Sequence, residues 1–258
     1  MVKSELYRYS LTSNKTFINR ASYRNNMANQ GQIIVPSGLL PVHSFDLYGP
    51  IVDSEALGEQ SIKFFEQIFK AEGISEEQAV QIISDYRALA RGELWATGEL
   101  KLPIINAIES PLKKYPELQP DYHAALQMDG LCVLIEILTY GEGASVFTSL
   151  HPDWLIKVLP EDIGSRINIY ADRKTKPEAF QRVYAAELAQ NRRVVTHTAD
   201  ELPELEAAVQ SGLFSGNNGR LIFVNRNDQV SESLARSRGI DFYVQDLKKV
   251  SYTQLVQK

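Results

Sequence analysis

Residues 144–258 alternate short β-branched or apolar runs with amphipathic segments, and this alternation limits the fold more than any other feature of the 258-residue chain. Val146–Leu150 and Trp154–Leu159 read as strands, separated by the turn-prone His151-Pro152-Asp153. Arg166–Ala171 is a third run. Pro177 stands where a first helical turn accepts it, and Ala179, Val183, Ala186 and Leu188 continue that helix. Further strands are predicted at Arg193–Thr196, Leu221–Val224 and Asp241–Val244. The helices between them are capped by Thr198 or Asp200 and by Asn227. The order β-β-α-β-α-β-α-β implies one sheet with helices mainly on one face.

The first half reads differently. Glu5–Leu11 alternates well enough for a short strand. Residues 12–50 are rich in Asn, Ser and Gly, hold Pro36, Pro41 and Pro50, and read as irregular apart from a short strand at Gln32–Val35. Ser54 opens a helical stripe that Gly73 closes. Ser75 is an N-cap candidate for the next helix, with Glu76 and Glu77 in its first turn. A weaker helix is predicted over Leu102–Ile108, and a long one over Asp121–Tyr140, where the apolar stretch Leu131–Ile135 predicts deep burial and makes Cys132 a core residue. The fold class expected is α+β: a mainly helical N-terminal half, residues 1–143, packed on a mixed sheet of residues 144–258, with the seam near 140–150.

Charge and composition narrow the function classes. The net charge of −5 disfavours non-specific binding to a duplex, which relies on many Lys and Arg contacts to phosphate. Residues 1–45 carry Lys3, Arg8, Lys15, Arg20 and Arg24 against Glu5 alone, an arm expected to dock on the acidic middle of its own chain. A single cysteine rules out a disulfide scaffold and a Cys-rich zinc site. No apolar run nears the roughly 20 residues that a bilayer requires, and MVKSELYRYS lacks the apolar region of a secretory signal. A cytoplasmic location is expected, or delivery into another cell without a cleaved signal. No motif asks for a cofactor.

Several motifs carry candidate chemistry. Gly141-Glu-Gly143 followed by Lys157 resembles a kinase glycine-rich loop and its strand lysine, but no His-Arg-Asp or Asp-Phe-Gly follows. Leu6-Tyr7-Arg8 with Glu204-Leu-Glu206 resembles ADP-ribosyltransferases; the plain alternative for the glutamates is an exposed helix face. Pro152-Asp153 with Asp172-Arg-Lys174 imitates the metal-dependent nucleases, where Asp153 and Asp172 hold Mg²⁺ and Lys174 orients a water.

The most extended pattern is Arg166-Ile-Asn-Ile-Tyr170, a helix around Phe180–Leu188, Arg192-Arg-Val-Val-Thr-His197 and Gly219-Arg-Leu-Ile-Phe-Val224. It resembles the bacterial phosphothreonine lyase effectors and the related lyase domains of lanthipeptide synthetases, over about residues 155–236. The resemblance implies that a phosphorylated protein or peptide is the partner. Arg166, Arg192 and Arg193 then bind the phosphate, since guanidinium groups make bidentate contacts to its oxygens. Lys157 or Lys174 takes the α-proton, and His197 serves as the acid. Arg166 and Asn168 stand where that family has a lysine and a histidine. The metal-dependent nuclease and a non-enzymatic protein–protein interaction module are the alternatives.

Overall fold

The computed structural model describes residues 32–53, most of 66–84, 125–148, 159–226, 228 and 230–257, all within one compact unit, Gln32–Lys258. Its centre is a six-stranded sheet. The strands are β2 (Leu40–Asp46), β3 (Gly143–Thr148), β4 (Asn168–Ala171), β5 (Arg192–Ala199), β6 (Arg220–Val224) and β7 (Phe242–Val244). Every neighbouring pair is parallel, in the order β4-β3-β2-β5-β6-β7. A separate two-stranded parallel ribbon joins β1 (Ile33–Ile34) to β8 (Val256–Gln257).

The sheet corrects the expected fold class. It is an α/β sheet, all parallel, and its strands come from both sides of residue 143. The missing piece was β2, Leu-Pro-Val-His-Ser-Phe-Asp, in a stretch that reads as irregular. A central parallel strand is normally a continuous apolar run, because both of its faces are covered. This one is buried from Val42 to Asp46 yet carries His43, Ser44 and Asp46. Pro41 is tolerated one residue into the strand, close to its open end.

Helices cover both faces. Register places Ser44 beside His197 and Asp46 beside Phe147 on one face, and His43 beside Thr196 and Phe45 beside Thr198 on the other. A register shift between Val42 and His43 sets this alignment. Over the first face lie α3 (Pro177–Leu188) and α4 (Leu202–Gln210). Their inward residues Ala179, Phe180, Val183, Leu205, Ala207 and Ala208 form a core with Phe147, Leu221 and Phe223. Phe147 and Phe180 meet edge to face with centroids 5.1 Å apart. Over the second face lie α1 (Met128–Thr139) and α6 (Tyr252–Leu255), which contact each other. The Tyr252 ring sits 5.3 Å from Phe45 and 5.2 Å from His43. Fully burying one such Phe or Leu contributes about 1.5–3 kcal/mol.

Two further short helices are α2 (Glu161–Gly164) and α5 (Glu232–Ser237). Ser231 caps α5 by accepting from Leu234 N at 3.3 Å; Asn227, the expected cap, lies outside the described residues. At the next predicted cap, Ser75 Oγ accepts from Gln78 N at 3.3 Å while the Gln78 side chain accepts from Ser75 N. Helix α1 is amphipathic: Leu131, Val133 and Leu134 are buried, whereas Ile135 and Cys132 are exposed, so Cys132 is no core residue. The strand predicted at Glu5–Leu11, the helix at Leu102–Ile108 and all but the last residue of the strand predicted at Trp154–Leu159 lie outside the described residues. No described helix is long and apolar enough to cross a membrane.

Candidate active site at the strand ends

In chain order the first three strands run outward from β2 and the next three run outward the other way from β5. The topology therefore reverses between β2 and β5. Loops leaving the C-terminal ends of parallel strands diverge at such a point and open a crevice, the usual place for a ligand in a doubly wound sheet. The chain puts its buried charges there. Asp46 ends β2, Asp200 follows β5, Glu204 lies in the first turn of α4, and Lys174 lies between β4 and α3.

These side chains meet. Lys174 Nζ donates to Asp46 Oδ2 and lies 2.8 Å from Glu204 Oε2. Asp46 and Glu204 are wholly buried, and Lys174 nearly so. Glu204 Oε1 is 2.8 Å from His197 Nε2, and His197 Nδ1 is 3.2 Å from Ser44 Oγ. Among the described residues two oxygens of the cluster lack a hydrogen-bond partner, Asp46 Oδ1 and Glu204 Oε2, the latter 2.8 Å from the Lys174 ammonium as an ion pair.

Burial and crowding shift the ionisations. Burial raises Asp46 to about 8, helped by Glu204 and opposed by Lys174. Burial also raises Glu204 to about 7, against the lowering pull of Lys174. Asp200 is pushed up to about 7 by burial and by Asp46. Burial works to lower the Lys174 pKa, but Asp46, Glu204 and Glu201 outweigh it and hold the ammonium charged. His197 is pushed down to about 3 by burial, with Lys174 adding to the effect and Asp46 opposing it, so the ring is neutral. One ammonium thus faces more acids than it can balance, and at neutral pH the cluster retains exchangeable protons, as an acid–base site requires.

The surrounding loop is held firmly. Gly49 has φ +78°, and a Cβ there falls 2.0 Å from the Asp200 carboxyl carbon, so only glycine allows this approach. Arg226 donates to Gly49 O at 3.0 Å, Pro50 O at 3.3 Å and Asp129 at 2.8 Å. Asp129 also accepts from Leu247 N at 3.0 Å. These bonds hold the Asp129 pKa below its ordinary value although burial works the other way. The loop after β2 is thereby tied to α1 and to the chain after β7.

Among the described residues no group of three or more His, Cys, Asp or Glu side chains has the geometry to hold a metal ion. A hard cation takes six or more oxygens. Here the position between Asp46 and Glu204 is filled by the Lys174 ammonium, so the donor set does not form a cation cage.

Of the residues predicted from sequence, Lys174 and His197 are brought into this cluster. Lys157 and Asp153 lie outside the described residues. Asp172 is taken by Arg182, 2.7 Å from its Nε, and by the Arg173 backbone N–H at 2.7 Å. Lys174 is turned away from it toward Asp46. The three arginines sit at the opposite end of the sheet. Arg166 donates to Leu138 O at 3.0 Å, Arg192 to Glu187 at 2.5 Å and Ala144 O at 3.0 Å, and Arg193 to Ile34 O at 2.8 Å. They are not gathered into one pocket. Asp46, Asp200 and Glu204 were missed as site residues. Asp46 lay in a stretch without strand texture, Asp200 had a sufficient role as a cap, and Glu204 looked exposed although it is fully buried.

No family model and no curated protein matches this sequence. Solved structures match its fold. A protein named as a haloacid dehalogenase-like hydrolase from Burkholderia xenovorans superposes with a TM-score of 0.55 at 13% identity, over 85% of this chain and 100% of that one. A HAD phosphatase from Thermococcus onnurineus gives 0.52 at 15% identity, over 81% of this chain and 94% of that one. A protein named as a phosphatase from Clostridium difficile gives 0.50 at 14% identity, over 85% and 100%.

These likenesses and the parallel sheet overturn the resemblance to the phosphothreonine lyase effectors. The phosphorylated-protein partner falls with it. The nuclease alternative loses its carboxylate pair, since Asp172 belongs to Arg182 and Lys174 to Asp46. The interaction-module alternative offers no reason to bury an uncompensated charge cluster, which is costly. The chain has the fold of the HAD-like hydrolases, with a buried Asp46–Lys174–Glu204 cluster at its topological switch point.

Proposed function

We propose that this protein hydrolyses the phosphate ester of a small phosphorylated compound, with Asp46 as the nucleophile. The observation that carries this reading is the division of labour within one carboxylate: Lys174 holds Oδ2, while buried Oδ1 has no hydrogen-bond partner among the described residues. The names of the structural relatives support the reaction class and no more.

The chemistry follows from the cluster. A carboxylate is a weak nucleophile in water, where hydration masks it; buried beside the Lys174 ammonium, the ionised fraction of Asp46, which grows as pH rises toward 8, attacks more readily. Asp46 Oδ1 forms a bond to phosphorus as the bond from phosphorus to the ester oxygen breaks. The departing alkoxide takes a proton from Glu204, whose ionisation near 7 suits a general acid at neutral pH. Water then cleaves the aspartyl phosphate, its proton returning to Glu204, and releases inorganic phosphate and free Asp46. Throughout, Lys174 offsets negative charge next to the transferring group. The cluster is closed to solvent in this structure, so a substrate must part the loops at the strand ends to reach it.

The test is phosphate release from p-nitrophenyl phosphate and a panel of sugar and nucleoside monophosphates. Wild type is expected to release phosphate from at least one of them, and Asp46→Asn to be slower by about a thousandfold or more. Equal rates in the two proteins overturn the reading.

A further inference from the structure

We propose that His197, backed by Ser44, is a positioning residue that aims the Glu204 carboxylate at Lys174 and Asp46. The proposal deepens the reading of Asp46 as the reactive group and rests on it for its catalytic consequence.

His197 is fully buried on β5, and the rings of Phe180, Phe147 and Phe214 stand 4.9, 6.3 and 6.3 Å from it. A ring in that setting is neutral and carries one N–H. Nε2 lies 2.8 Å from Glu204 Oε1, and Oε1 accepts there both when Glu204 is ionised and when its proton sits on Oε2, which places the hydrogen on Nε2. Nδ1 is then a lone pair, and it accepts from the Ser44 hydroxyl at 3.2 Å. Ser44 is buried, and its register neighbour on β5 is His197. The opposite tautomer sets two lone pairs against each other at Nε2 and Oε1, while Ser44 Oγ pairs with Nδ1 in either case. The Glu204 acceptor therefore selects the tautomer, the Ser44 hydroxyl completes it by donating to Nδ1, and the ring in turn fixes which way Glu204 faces.

The consequence is directional. With Oε1 held by His197, Oε2 is left to face Lys174 at 2.8 Å. Lys174, anchored between Glu204 and Asp46, is kept on Asp46 Oδ2 and leaves Oδ1 free. The hydrogen-bond path Ser44–His197–Glu204 thus continues by charge to Lys174 and Asp46. A residue placed only to fill space among three phenylalanines needs no hydrogen-bonding edge. A buried imidazole without partners costs free energy, so the two polar contacts are what the imidazole provides.

The charged and titratable groups facing Glu204 are Asp46 from β2, Lys174 from the segment before α3, His197 from β5 and Glu201 at the start of its own helix. Of these, His197 lies within hydrogen-bond distance of Oε1 from a neutral ring, at 2.8 Å. Removing that donor while keeping the bulk destabilises the Glu204 carboxylate and raises its titration midpoint.

The experiment reads Glu204 directly in full-length protein labelled with ¹³C at glutamate side chains, with Glu204→Gln assigning the resonance. Ring ¹⁵N shifts report the His197 tautomer. In wild type, Nε2 is expected to be protonated across pH 5–8. In His197→Phe the Glu204 midpoint rises by about one unit, the acidic limb of the pH–rate profile moves with it, and kcat falls about 10–100-fold with little change in KM. His197→Gln, whose amide N–H sits near the position of Nε2, restores the midpoint and most of kcat. Ser44→Ala gives a smaller shift in the same direction and does not depend on His197→Phe folding. An unmoved midpoint in both His197→Phe and Ser44→Ala overturns the proposal, as does Nδ1 protonation in wild type. If wild type releases no phosphate from any ester, the proposed reaction fails, while the ¹³C and ¹⁵N shifts still decide whether His197 positions Glu204.

Discussion

Two buried histidines face each other's strands across the sheet, and the same local chemistry serves them differently. His43 on β2 has Glu142 at 2.8 Å on Nε2 and Thr196 at 2.9 Å on Nδ1. His197 on β5 has Glu204 at 2.8 Å on Nε2 and Ser44 at 3.2 Å on Nδ1. Each ring is fully buried and each spans the β2–β5 pair, one on either face. The difference lies in what the carboxylate touches next. Glu204 reaches Lys174 and through it Asp46, whereas the other oxygen of Glu142 has no hydrogen-bond partner among the described residues. A buried His–carboxylate–hydroxyl set is therefore not by itself a site. It becomes part of one when its carboxylate connects to further charge at the strand ends. On the far face the network ends with Tyr252, whose hydroxyl meets Thr198 at 2.7 Å, and it fastens α6 to the sheet.

The sharpest way to separate the two networks is to remove the ammonium. Lys174→Met leaves Asp46 and Glu204 buried without a counter-charge, and a broken buried pair costs about 3–5 kcal/mol. Chemical denaturation is expected to show that loss at pH 8 and a smaller one at pH 5, where protonation of the two acids relieves it. A loss independent of pH contradicts the charge assignment. Gly49→Ala comes next. Its Cβ collides with the Asp200 carboxylate at a backbone angle that alanine resists, at a cost of about 1–3 kcal/mol together with reduced turnover. His43→Phe removes the structural network instead. It is expected to cost about 1–2 kcal/mol by leaving Glu142 unpaired, with the pH–rate profile and the Glu204 midpoint unchanged. A shifted profile in that variant breaks the contrast between the two histidines.

The smallest effect is a pH dependence of wild-type stability. Asp46, Asp200 and Glu204 have folded-state pKa values raised to about 8, 7 and 7. Between the unfolded carboxylate values and these, the folded state binds more protons, so the stability they contribute is present at low pH and lost as pH rises through 7–8. His197 works in the opposite sense, because its folded value of about 3 lies under its unfolded one and its contribution is gained as pH rises through 3–6.5. Above about pH 6.5 only the acids remain. The melting temperature is expected to fall from pH 6.5 to 8.5 by calorimetry, with a shallower fall in Asp46→Asn. A rise over that interval contradicts the raised carboxylates.

The second half was legible in the sequence because its helices bury one apolar stripe and its strands are short β-branched or apolar runs. The runs at Arg220–Val224 and Phe242–Val244 and the helix Pro177–Leu188 all formed near where their periodicity placed them. The architecture was not legible, because it turns on one strand. Leu40–Asp46 holds a proline and three polar residues in seven positions, the texture of a loop. Those polar residues face two networks that exist only after β5 pairs beside it. Cys132 fails for the opposite reason: an apolar stretch of five residues spans more than one face of a helix, and its outward members are exposed. Lys174 and His197 drew attention as single reactive side chains. Their partners did not, since an acid at a strand end or in a first helical turn already has an ordinary explanation.

The central claim is that Asp46 carries the phosphoryl group during turnover. Rapid acid quench of wild type with a substrate from the panel, followed by peptide mass spectrometry, measures this directly. The account predicts one added phosphoryl group on the peptide containing Asp46, absent in Asp46→Asn. Steady turnover with no phosphorylated peptide, or with the group on another residue, contradicts it.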